Sequence, residues 1–359
     1  MSTPPPVDRE LADAVAARMA VVEERLRDAV AHADALAGAT ARHLVDAGGK
    51  RLRPMLTLLA GHLGDPDHEH LVDAAAVVEL THLATLYHDD VMDAAPVRRG
   101  APSAHELWGN QVAVITGDLV FARASAIAAG LGPVAIRILA STFERLCLGQ
   151  LHEVAGPAEG DDPVAHYLQV LSDKTASLIA TSARFGAMFS GAGAEVEEAL
   201  VAYGEAAGVA FQLADDVIDL TSDGAVTGKT PGTDLREHVP TMPVLLLRER
   251  VAAARAAVGA AGSGAAGAVG AAGAAAADVA PSGASADEAL LALLDSDLSD
   301  DAVLADAVAQ LREHEVLEQT RARARAWEQQ ALDALAVLPA GPVRSALETF
   351  THSLVDRSA

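Results

Sequence analysis

The sequence predicts an all-α fold, a single large antiparallel bundle of helices. Three observations lead there. Apolar residues recur at three- and four-residue steps along most of the 359 residues. Pro and Gly interrupt that pattern at Asp65-Pro66, Ala95-Pro96, Gly132-Pro133 and Gly156-Pro157, which reads as helices joined by short loops. No alternating stretch of useful length marks a strand, and no repeat of fixed period is present. Hydrophobic residues make up 51% of the chain, enough for a sizeable core, but aromatics only 3%, so Ala, Val and Leu must build it.

The first helix is expected over residues 8–43, carried by Leu11, Val15, Met19, Val22, Leu26 and Val30, and broken by Gly48 and Gly49. Helical patterns resume at 54–64, 71–93, 104–130, 133–154, 163–190, 194–219, 240–255 and 287–355. Short connections make such neighbours antiparallel. Residues 256–286 stand apart: their only charge is Asp278, and six glycines fall between Gly259 and Gly273. Each Gly costs a helix ~1 kcal/mol relative to Ala, so a flexible insert is expected there. The partition is then a disordered tail over 1–7, a helical bundle over 8–255, an Ala/Gly-rich insert over 256–286, and closing helices of the same bundle over 287–359. GSGAAG at 262–267 fits the dinucleotide fingerprint by letters alone, since no strand precedes it.

Charge and cysteine content bound the function. With 26 basic and 50 acidic residues, a net charge of −24 argues against non-specific binding of nucleic acid or of an anionic membrane. The single cysteine, Cys147, sits in an apolar run and can form no internal disulfide, which fits a cytoplasmic protein. The start of the sequence has no basic-then-apolar pattern of a signal peptide, and no transmembrane segment is expected, because the uncharged run 256–277 is Ala and Gly with two valines and one serine.

Two acidic motifs carry the chemistry. HDDVMD at 88–93 places Asp89 and Asp93 on one helical face with Asp90 beside them. The spacing returns in FQLADDVID, with Asp215, Asp216 and Asp219, 126 residues later. Both copies lie in apolar helices rather than among solvated charges. Bare carboxylates at this spacing repel, and buried ones need partners. Mg²⁺ takes oxygen ligands, keeps several waters, and bridges one or two carboxylates to substrate phosphates. Two facing motifs could thus hold a diphosphate through Mg²⁺. The cations agree. GGKRLRP at 48–54 offers Lys50, Arg51 and Arg53; Arg98 and Arg99 follow the first motif; Lys174-Thr175 lies in a helix with few other cations; Lys229 lies in a loop after the second motif. Arginine recognises phosphate oxygens through its planar fork.

Together, GGKRLRP, HDDVMDAAPVRRG, TGDLVFARAS, Lys174-Thr175-Ala176, FQLADDVID, GKTPGTDLRE and LPAGPVRSALETF resemble the trans-isoprenyl (polyprenyl) diphosphate synthases from about residue 40 to the end, apart from the insert. The resemblance implies the isoprenoid synthase bundle, a central active-site cavity and a homodimer. It also implies two to three Mg²⁺ ions held by Asp89, Asp93, Asp215 and Asp219. Lys50, Arg53, His82 and Arg99 would bind isopentenyl diphosphate. Arg98, Lys174, Thr175, Gln212 and Lys229 would hold the allylic diphosphate, and Asp89, Asp93, Lys174 and Asp215 would be catalytic. Metal and basic groups would neutralise the leaving diphosphate, and isopentenyl diphosphate would attack the allylic cation. One departure is the run REHVPTMP, where His238 and Val239 stand at the family's Gly and Lys, so a role for that lysine does not carry over.

Product length follows from Ala84 and Thr85, five and four residues before Asp89, with Val78 further along the stripe. Short-chain relatives tend to have a bulky aromatic there. Two small residues imply an open tunnel and a long-chain all-trans product, of the kind used for quinone side chains. Geranylgeranyl diphosphate is the alternative product. A terpene cyclase would carry a different second metal motif, a non-catalytic synthase subunit would lack aspartates, and a purely structural helical protein would not respond to Mg²⁺ and diphosphate.

Overall fold

The computed structural model describes residues 8–222, 231–265 and 283–356, with backbone alone over 258–265 and 283–285. Among the described residues the chain is helical apart from one minimal hairpin, as the apolar periodicity requires. The order is α1 (Arg9–Val30), α2 (Ala35–Asp46), α3 (Leu52–Gly61) and α4 (His70–Met92). The hairpin β1 (Val97–Arg98) and β2 (Ala101–Pro102) follows, then α5 (Ala104–Trp108), α6 (Asn110–Gly130), α7 (Pro133–Ala155) and α8 (Pro163–Leu171). A π-helical turn (Ser172–Ala176) leads into α9 (Ser177–Ser190), then α10 (Ala194–Thr221), α11 (Thr233–Arg236), α12 (Met242–Ala265), α13 (Gly283–Leu294), α14 (Asp301–Glu313), α15 (Glu315–Ala334) and α16 (Pro342–Val355).

Several expected boundaries move for identifiable reasons. The helix expected over 8–43 is two helices. Asp34 caps the second through its Oδ1, which accepts from Ala37 N at 2.9 Å, and Ala31 has already turned to an extended conformation. A side-chain cap satisfies N–H groups that a continuous helix would otherwise bond. The segment 104–130 is split by Gly109, whose φ of 81° is left-handed. The hairpin turns at Arg99 and Gly100, both at positive φ (54° and 78°), as a tight two-residue turn demands. The expected insert begins as helix: α12 continues to Ala265, and α13 starts at Gly283. Alanine is the strongest helix former, and extending an existing helix needs no new nucleus, so three glycines do not stop it. Residues 1–7 and 266–282 lie outside the described residues.

By packing, the chain divides into two compact units. One unit holds residues up to Ala155, Gln169–Val209 and Trp327–Leu354. Its centre is α4, with Leu71, Val77, Val78, Leu80 and Leu83 all buried, flanked by α3, α6 and α9. A helix apolar on all sides belongs inside. The low aromatic content shows in how α9 and α10 meet. A Cβ on Gly204 would lie 2.4 Å from the Ala180 Cα, and one on Gly208 2.4 Å from the Ala176 Cα, so backbones touch where other cores place side chains. The second unit holds 156–168 and 210–326 with the last residues of the chain. There α12 packs on α13 and α13 on α14, and Arg250 joins Asp287 at 3.2 Å and Glu315 at 2.9 Å.

Candidate active site

The first acidic motif closes α4. Asp89 is half-buried in the last turn, and Asp93 is exposed at the C-cap, its N–H bonded to the Asp89 carbonyl at 2.8 Å. Burial pushes the Asp89 carboxyl up to about 6, against the pull of the Lys174 ammonium and with a further push from Asp93. Asp90, between them in sequence, turns the other way. It is fully buried and accepts from Arg98 Nε at 2.6 Å. Arg98 is thus anchored to the motif's middle carboxylate by its Nε.

The Gly-hinged loop separates its three cations. Lys50 is exposed. Arg51 is buried and bonds Glu23 (2.7 Å), Glu79 (2.8 Å) and the Val45 carbonyl (2.9 Å), so it is an internal pin. Arg53 is half-buried, and its buried Nε has no partner. Arg99 reaches back from the hairpin to the Gly48 and Leu44 carbonyls and lies 3.7 Å from Glu79. Burial and then Arg53, Arg99, Arg98 and Arg51 hold His82 well below the usual imidazole range, so it stays neutral beside them. A neutral imidazole amid several guanidinium groups suits an anion. Lys50, Arg53, His82 and Arg99, expected to act together, lie in one unit, and Arg53 and Arg99 both feel the charge of Glu79, a buried acid that sequence reasoning missed. Its signal was available, as the only charge in AAAVVELTHLATLY.

Lys174 and Thr175 sit in the π turn. Such turns are rare and recur at functional sites because the extra residue re-aims side chains. The Lys174 ammonium pairs with Glu153 of α7, another residue the sequence did not single out. Thr85 is half-buried on the Asp89 face, its hydroxyl bonded to the His82 carbonyl at 2.8 Å. Ala84 is fully buried in the core that includes Leu80, Leu83, Ala113 and Val120.

The second motif lies on α10 in the other unit and repeats the logic. Asp215 and Asp219 are half-buried, with Gln212 one turn before Asp215, and the middle residue, Asp216, is turned inward. Its carboxyl accepts from the Tyr167 hydroxyl at 2.9 Å and from Met242 N at 3.0 Å. Burial raises it to about 8 in spite of both bonds. Tyr167 had no sequence signal. Lys229 lies outside the described residues. Tyr167→Phe should lower stability by ~1–3 kcal/mol, the usual cost of a buried polar group left unsatisfied. A folded pKa of about 8 against 3.8 means that stability falls as pH rises between those values. Losing a donor penalises the charged form most, so the drop in melting temperature should widen toward pH 8; a pH-independent drop would count against this bond.

In each motif the middle aspartate is turned inward and held by the protein, by Arg98 in the first and by Tyr167 and Met242 N in the second. Among the described residues no three His, Cys, Asp or Glu side chains gather into a ready-made metal cluster. Two carboxylates per motif, one pushed up by burial, fit a hard divalent ion that takes its remaining ligands from water and phosphate.

Comparison with known proteins agrees. A family model described as polyprenyl synthetase matches residues 34–263. The chain is 41% identical over 352 residues to a nonaprenyl diphosphate synthase of Mycobacterium tuberculosis, covering 98% of this chain and 95% of that one. Its fold matches a polyprenyl synthase of Caulobacter crescentus, solved with calcium and isoprenyl diphosphate, at a TM-score of 0.82 and 32% identity over the whole of both chains. A geranylgeranyl pyrophosphate synthase of Corynebacterium glutamicum, also with calcium and isoprenyl diphosphate, matches at 0.79 and 36% over 98% of each.

Proposed function

Because this chain belongs to the polyprenyl synthetase family and is a prenyltransferase, we propose that it condenses isopentenyl diphosphate repeatedly with an allylic diphosphate and releases a long-chain all-trans polyprenyl diphosphate. The observation that carries this reading is the near full-length likeness to a nonaprenyl diphosphate synthase. The small residues Ala84 and Thr85 next to the first motif support it.

The chain's own groups divide the work. Lys50, Arg53, Arg99 and neutral His82 bind the diphosphate of isopentenyl diphosphate; the unpartnered Arg53 Nε leaves a buried donor for a phosphate oxygen. Lys174 and Thr175 bind the allylic diphosphate, the ammonium exchanging Glu153 for phosphate. Asp89 and Asp93 would hold Mg²⁺ in one unit and Asp215 and Asp219 in the other, with Gln212 one turn before Asp215. When bound, Mg²⁺ would supply positive charge beside the leaving diphosphate and so favour formation of the allylic cation. Apolar walls shield the resulting cation from water. Arg98 is anchored to Asp90 through its Nε, and its terminal guanidinium nitrogens join Lys174 and Thr175 in holding the allylic diphosphate.

A homodimer is part of the proposal. The helix α6 is apolar enough to cross a membrane by composition, yet only 33% of its most apolar window is buried within the chain. With Ile115 66%, Leu151 61% and Val154 73% exposed, α6 and α7 present an apolar face that a second copy would cover.

The test is product analysis. Purified protein with Mg²⁺, isopentenyl diphosphate and geranyl, farnesyl or geranylgeranyl diphosphate should give products of heptaprenyl length or longer by reversed-phase chromatography, and light scattering should read twice the chain mass. A stop at geranylgeranyl diphosphate would overturn the long-chain reading. No product at all would point to a subunit that needs a partner.

A further inference from the structure

The π turn that carries Lys174 and Thr175 is held by a stripe on α7 whose residues recur every four positions, Arg145, Gly149 and Glu153. Each meets the turn at a successive point. Arg145 Nε donates to Asp173 Oδ1 at 2.7 Å, and its Nη2 donates to the Ser172 carbonyl and hydroxyl at 3.3 and 3.0 Å. The same guanidinium donates through Nη1 and Nη2 to Glu205 on α10, the second bond 3.1 Å long. At Gly149 the two backbones nearly touch, since a Cβ there would lie 2.6 Å from Lys174 N. Glu153 receives the Lys174 ammonium.

We propose that Arg145 is a positioning residue for the allylic diphosphate, fixing the π turn so that Lys174 and Thr175 keep the aim that binding needs. This rests on the reading that those two residues hold that substrate. A π turn contains one residue more than the regular helix would, and a helix advances about 100° per residue. If the extra residue were absorbed, Lys174 would swing by that angle about the axis. The turn's own hydrogen bonds do not prevent this, so the restraint has to come from outside. Arg145 supplies it because a guanidinium has enough N–H groups to hold two carboxylates and a carbonyl at once. Asp173 is further fixed from Gln169 Nε2 at 2.7 Å, and its carbonyl accepts from Ser177 Oγ at 2.6 Å. Without the arginine, Asp173 and Glu205 would lose the cation they share.

The test compares Arg145→Met, Arg145→Lys and Lys174→Ala with the unaltered full chain. The readouts are steady-state kinetics, with each substrate varied in turn, and circular-dichroism melting. Arg145→Met should raise KM for the allylic diphosphate about tenfold or more and leave KM for isopentenyl diphosphate within about twofold. Arg145→Lys, which can reach one carboxylate but not both, should fall between. If Arg145→Met melts too early to assay, Glu205→Gln, which keeps the shape and removes the charge, should raise the same single KM. A lower melting temperature with both KM values unchanged would make Arg145 merely structural and overturn the proposal, as would equal rises in both. If Lys174→Ala also leaves the allylic KM unchanged, the reading beneath the proposal falls with it. A rise in Lys174→Ala but not in Arg145→Met sinks the positioning role alone.

Discussion

Asp89→Asn should lower turnover roughly 10²–10³-fold, the usual loss when one group stabilising transition-state charge is removed, and should raise the melting temperature of the metal-free protein at neutral pH. The two effects have one cause. Burial lifts the Asp89 carboxyl from 3.8 to about 6, so its charged form is disfavoured in the folded chain. A folded pKa above the unfolded one means that the native state binds the extra proton between those values, and stability declines as pH rises through that window. Above about 6 the whole penalty is present, and the neutral amide does not carry it. Added Mg²⁺ with inorganic diphosphate should stabilise the unaltered chain and leave the variant nearly where it was. Scanning calorimetry at pH 5 and pH 7.5, with and without the metal, reads all of this. Normal turnover in the variant, or an equal metal-induced shift, would remove Asp89 from the metal site.

Thr85→Phe should cut the product to a few isoprene units while total condensation falls much less. Thr85 lies one turn, about 5.4 Å, before Asp89 on the same face, and its small half-buried side chain leaves room that a phenyl ring would fill. Ala84→Phe is the companion variant and carries a different risk. Ala84 is fully buried against Leu80, Leu83 and Val120. Overpacking at such a site typically costs about 1–3 kcal/mol, so its melting temperature must be read beside its products. Unchanged product lengths in Thr85→Phe would show that the growing chain does not pass this face.

The fold was legible because its signal is additive. Apolar periodicity over hundreds of residues places α4, α6 and α10 despite weak local boundaries, and both acidic motifs were visible because a repeated spacing in apolar helices has no ordinary explanation. What stayed hidden depends on tertiary partners. The sequence showed two adjacent aspartates and a third three residues on in each motif, but not that Asp90 and Asp216 turn inward, since that depends on Arg98 from a hairpin and Tyr167 from α8. The pair Arg51 and Arg53 read alike, yet one pins Glu23 and Glu79 while the other keeps an unpartnered Nε. The π turn left no trace, because its i+5 bonds follow from the packing of α7 rather than from the composition of SDKTA. Helix breaks at 31–34 and at Gly109 were missed where one capping side chain or one left-handed residue outweighed a favourable average.

The arrangement around Glu79 governs how this part of the protein opens. Its carboxylate draws Arg51 from the loop before α3 and Arg99 from the hairpin after α4, and Arg51 also reaches Glu23 on α1. The four residues are scattered over 77 positions (23 to 99), and both arginines adopt left-handed backbone that the sheltering structure must maintain. Releasing either loop alone would strand a buried charge, which costs several kcal/mol. Small breathing motions are therefore suppressed, and the two loops separate from the bundle as one cooperative step. In a hydrogen–deuterium exchange experiment the amides of both loops would share one opening free energy and one slow clock. The surface proposed for isopentenyl diphosphate would in this sense be built before its ligand arrives, with the ordering entropy spent at folding rather than at each catalytic cycle.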